Sequence, residues 1–104
     1  MAQDADNKFY ERADAHIHLS NEQLTDASSG RVSASMMYGA ARFSAWFNAS
    51  GFHSAEEMAA AKNETLEYFS TEYRKALEEN LNDYIANFDK YMARQVTTNI
   101  DTPT

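Results

Sequence analysis

Asp14, His18 and Glu22 follow one another at four-residue intervals, so on a helix a carboxylate, an imidazole and a second carboxylate share one face. Such donors suit a divalent transition metal, which makes this trio the candidate for metal or small-ligand binding. The pattern is permissive only. Helical di-metal bundles use Glu-x-x-His pairs directed inward from two helices together with further carboxylates, and that spacing is missing here. The competing reading is a row of solvated charges, with His16 turned toward the edge of the core. Arg42 is a second candidate, as the lone charge between Ser33 and Ser50. A guanidinium on an apolar helix must reach the surface, pair with a carboxylate or hold an anion. Tyr68, Tyr73, Tyr84, Tyr91, Trp46 and Phe69 have the faces to stack on a ligand, yet at helical spacing they are expected to serve as core or as an oligomer seam. Ser28, Ser33 and Ser35 have no Gly-x-Ser-x-Gly context, and three glycines leave little from which to build a phosphate loop. No catalytic residue and no cofactor are expected.

The elements that would carry these residues are helices. Asp4, Asp6 and Asn7 offer N-caps for a first helix over residues 7–27, and Ser28-Ser29-Gly30 offers its stop. Phe9, Ala13, Ile17 and Leu24, with Ser20 between them, form the expected core face; Glu11, Asp14, His18 and Glu22 fall opposite. A second helix is expected from Ser33, with Val32 stapled on Met37 and a left-handed Gly51 as its end. Met36, Ala40, Phe43 and Phe47 on one side, Met37, Ala41 and Ser44 beside them and Trp46 on the other flank make it apolar over most of its circumference. That pattern predicts the central, most buried helix.

From Phe52 to Thr102 there is neither Gly nor Pro, and Ser54-Ala-Glu-Glu57 forms a capping box. One long third helix over residues 55–94 is therefore predicted. Its apolar positions end in Leu77, Leu81, Tyr84, Phe88 and Tyr91, spaced 4, 3, 4 and 3, the alternation of a coiled-coil seam. At about 1.5 Å per residue the helix would run roughly 60 Å, against roughly 30–35 Å for a compact globule of this length. Either the half bearing Leu77 to Tyr91 zips against another copy, or the helix breaks near Glu79 to Asp83 and folds back. The expected fold is an all-α, antiparallel three-helix bundle, one domain over residues 1–95 with a flexible tail over 96–104.

Sixteen acidic against nine basic residues leave a net charge of −7, which repels nucleic acid. No segment reaches the roughly 20 apolar residues of a membrane span, and Met1 to Lys8 carry no apolar run, so a cleavable signal is not expected. No cysteine is present, which fits a reducing, cytoplasmic setting. Ile 3 and Val 2 are few, while Tyr 6, Phe 6 and Met 5 are many, so strands are disfavoured and a few large side chains should carry the core.

Three blocks, FYERADAHIHLSNEQL from Phe9, VSASMMYGAARFSAW from Val32 and EYFSTEYRKALEENLNDYI from Glu67, resemble a family of small bacterial proteins catalogued as a domain of unknown function. The resemblance runs from about Phe9 to Met92 and implies a bacterial, soluble protein, with no activity or site residue to carry over. The expected function is that of a non-catalytic interaction or regulatory protein that forms a homodimer and accepts a protein partner. The alternative is a metal- or small-ligand-binding protein built on Asp14, His18 and Glu22.

Overall fold

The structure, a computed structural model, describes residues 6–97, with side chains through Ala93. Every element among the described residues is a helix: α1 (Phe9–Gln23), α2 (Ser29–Ala49), α3 (Ala55–Ala60), α4 (Lys62–Ala86) and α5 (Phe88–Thr97). None of them is long and apolar enough to cross a membrane. The chain divides into two units, one carrying α1 and α2 and ending at Gly51, the other beginning at Phe52 and carrying α3 to α5.

In the first unit both predicted boundaries move. Asp6 shapes the entry to α1: its carboxylate accepts from the Lys8 amide at 3.0 Å and from the Arg12 guanidinium at 3.2 Å. Asp4, the other acidic cap expected there, lies outside the described residues. The helix closes four residues earlier than predicted, because Leu24, Thr25 and Asp26 each donate to the carbonyl three residues back and tighten the chain out of α geometry.

Ser28 then starts α2 rather than stopping α1. Its Oγ accepts from the Arg31 amide at 3.3 Å, and its carbonyl accepts from Val32 at 3.0 Å. Ser33, the predicted cap, is inside the helix. Ala27 and Val32, rather than Val32 and Met37, hold the positions of a staple around this cap, Ala27 half-buried and Val32 buried at 6% exposure. At the far end Ser50 keeps a right-handed backbone, and its hydroxyl caps the Phe47 carbonyl at 2.6 Å, so no left-handed glycine is needed. The Gly51 amide reaches the Asn48 carbonyl at 3.1 Å instead.

The expectation that α2 is the most buried helix is overturned. Beyond Val32, the side chains of Met36, Met37, Tyr38, Phe43, Trp46 and Phe47 are all exposed. Little of α1 is covered either: Phe9 and Ser20 within it are half-buried, as are Leu24 and Ala27 in the turn that follows. Ile17, on the predicted core face, is exposed too. Periodicity identified an apolar face correctly but could not say whether a neighbour covers it.

In the second unit the capping box forms as read from the sequence. Ser54 Oγ accepts from the Glu57 amide at 3.1 Å, and the Glu57 carboxylate reaches back to the His53 amide at 2.7 Å, one residue before the expected Ser54. The single long helix does not form; it is jointed at Ala61 and at Asn87. At the first joint Ala61 donates to the Met58 carbonyl, a three-residue closure, while its own carbonyl still accepts from Thr65 at 3.0 Å. Nothing in the local sequence explains this joint. At the second, Asn87 Nδ2 donates to the Asp83 carbonyl at 3.0 Å and competes for the acceptor that its own backbone amide uses.

The joint at Asn87 leaves the helical bonding in place. Backbone bonds of helical spacing enter and leave Asn87, from its amide to Asp83 and from Tyr91 to its carbonyl, both 3.0 Å. The alternative of a break near Glu79 to Asp83 is absent, since α4 runs through Asn80, Asn82 and Asp83. Val96 and Thr97, read as the start of a tail, belong to α5; residues 98–104 lie outside the described residues, as does the Arg94 side chain.

Candidate functional site

Leu77, Leu81 and Tyr84 sit on the second half of α4, and Phe88 and Tyr91 sit on α5, so the row expected as a seam spans the Asn87 joint. The first four are open, with Leu81 at 53% and Phe88 at 60% exposure, and Tyr91 is half-buried. Tyr91 is also engaged within its own unit. Its ring lies 4.4 Å from that of Tyr84, and its hydroxyl donates to Asp83 Oδ2 at 2.8 Å. Asn87 Nδ2 donates to the other carboxylate oxygen of Asp83 at 2.9 Å. One carboxylate thus anchors both the residue at the joint and the seam residue beyond it. The bond to Asp83 keeps the Tyr91 hydroxyl protonated and pushes its pKa above the ordinary value, with desolvation and the charge of Asp83 acting the same way.

A second apolar surface lies on α2 and was not read as a site in the sequence. Phe43 and Trp46 pack ring against ring at 5.6 Å, yet stay 67% and 64% exposed. Met36, Met37 and Phe47 extend the patch. The periodicity that marked this face as core was the signal; exposed rather than buried, the same face becomes a surface for association.

The polar candidates are not drawn together. Asp14, His18 and Glu22 all lie exposed on α1, and among the described residues no group of three or more acidic or histidine side chains is gathered to hold a metal ion. Arg42 stands exposed on α2 without an ion pair among the described residues.

The chain resembles a solved structure, the NMR structure of the protein NB7890A from Shewanella sp.. The two share 42% of their residues over 88% of this chain and 97% of that one, with a TM-score of 0.72. No curated protein matches. The model of a family described as a protein of unknown function (DUF3144) matches residues 9–85. With that model spanning both units from α1 to the end of α4, and the Shewanella structure covering nearly the whole chain, the protein belongs to this family of unknown function, DUF3144.

Proposed function

We propose that this protein is a non-catalytic helical interaction module that self-associates as a homodimer, with the row Leu77, Leu81, Tyr84 and Phe88 at the interface. The observation that carries the reading is the exposure of that row at the register of a seam. Water-exposed leucine and aromatic side chains repeated on one face are the usual mark of a surface awaiting a partner. In this reading α3, α4 and α5 act as segments of one jointed rod in an antiparallel bundle, and Tyr91 braces the seam by fixing the angle at which α5 leaves α4. A protein partner is accommodated on the same kind of surface, and the charge of −7 favours basic partners over nucleic acid. The protein is read as bacterial and cytoplasmic, which the Shewanella source of the similar structure and the lack of cysteine support.

The test is substitution within the row. Leu81→Asp or Phe88→Asp should lower the mass in solution to that of one chain while circular dichroism shows the helices of the first unit retained, because a charge buried unpaired costs far more than one left in water. Variants that keep the wild-type mass would move the interface off this row.

A further inference from the structure

The α4 row supplies only part of the surface of a standard interface. Four side chains about half exposed offer roughly 400 Å² per copy, about half of the roughly 800 Å² that each partner contributes to a standard interface. The shortfall directs attention to α2, whose open face is of matching size. Met36, Phe43 and Phe47 fall within about 40° of one another around the helix, with Trp46 on one flank and Met37 on the other. Their exposed parts amount to roughly 500–600 Å².

Charge narrows the occupant. Between Ser29 and Ala49 there is no Asp or Glu, only Arg31 and Arg42, in a chain whose net charge is −7. α2 carries no acid to repel the acidic surface of another copy, and its two arginines, on the flank away from Met36, Phe43 and Phe47, disfavour a basic peptide there. Gly39 adds a geometric detail. A glycine inside a helix costs about fivefold in helix stability relative to alanine, and a Cβ built on Gly39 meets nothing within 4 Å in its own chain. The fold of the single chain therefore has no use for the missing side chain, whereas a second helix crossing between Met36 and Phe43 would.

We infer that the α2 face, centred on Gly39 and flanked by Met36, Phe43, Trp46 and Phe47, is covered by a second copy of this chain. The inference rests on the self-association proposed above but on different residues, so the two can fail separately. Trp46 is the chain's sole tryptophan, and its emission reports this face alone.

The experiment follows mass and Trp46 emission together over a dilution series for the wild type, Gly39→Leu, Gly39→Ala and Leu81→Asp. In the assembled wild type Trp46 should emit as a buried indole and shift red in step with the falling mass. Gly39→Leu, whose Cβ meets nothing within 4 Å in the single chain, should raise the dissociation constant about ten- to hundredfold, the range that overpacking a closed contact costs. Gly39→Ala should do so more weakly while raising helicity. Assembled wild type with Trp46 emitting as if in water would overturn the inference and leave the α4 row intact, and would mean that the α2 face serves another protein. Gly39→Leu at wild-type mass and emission would overturn it as well. A wild type that stays a single chain at every concentration would overturn both readings.

Discussion

At the scale of single residues, Asp83 does the most. It accepts from Asn87 and from Tyr91 at once, and so holds the chain where the long helix is jointed. Because the folded-state pKa of Tyr91 is raised, the stabilisation from this bond is fully present below the ordinary tyrosine value of about 10 and disappears as the pH climbs through the higher value of Tyr91 itself. Spectrophotometric titration should show one of the six tyrosines ionising later than the rest, and Asp83→Ala should return it to the common group. Superimposable titration curves for the two proteins would show that the bond is not formed in solution. The residues of this latch were only partly legible beforehand. Tyr91 was placed by its heptad position, but nothing in that position announces a side-chain bond to a residue eight earlier.

At the scale of elements, the caps were the most legible feature, because a cap is decided by residues within four of one another. Ser54 and Glu57 formed the box that their spacing implies, and Ser54→Ala should cost about 1 kcal/mol of stability, read by denaturant unfolding. A loss near zero would mean that α3 frays without consequence for the rest. Where two serines competed for one helix start, local reading chose the wrong one. Ser28 and Ser33 are both competent caps, and the decision fell to the turns at Leu24 to Asp26, which end α1 early and free Ser28 to begin α2. The apolar face of α2 was legible as a face and illegible as a surface, since what covers Phe43 and Trp46 is a property of the neighbours and not of the helix.

At the scale of the whole molecule, a single side chain among those described, Val32, is buried. Burying one valine stabilises by about 1.5–3 kcal/mol, whereas ordering each residue's backbone costs about 1–2 kcal/mol. Association that dries further apolar faces would therefore add to the stability of the helices. Folding and assembly should then be linked, and the thermal midpoint should rise with protein concentration. A midpoint unchanged over a hundredfold concentration range would separate the two processes. The all-helical class followed from composition and from the glycine-free stretch after Phe52, whereas the joint at Ala61 and the openness of α2 have no counterpart in any window of sequence.

The most direct measurement is the mass in solution, by sedimentation equilibrium or light scattering at micromolar concentration. Self-association requires a mass at a multiple of 11.8 kDa that falls toward that value on dilution. A well-folded, helical species of 11.8 kDa at every concentration would contradict it.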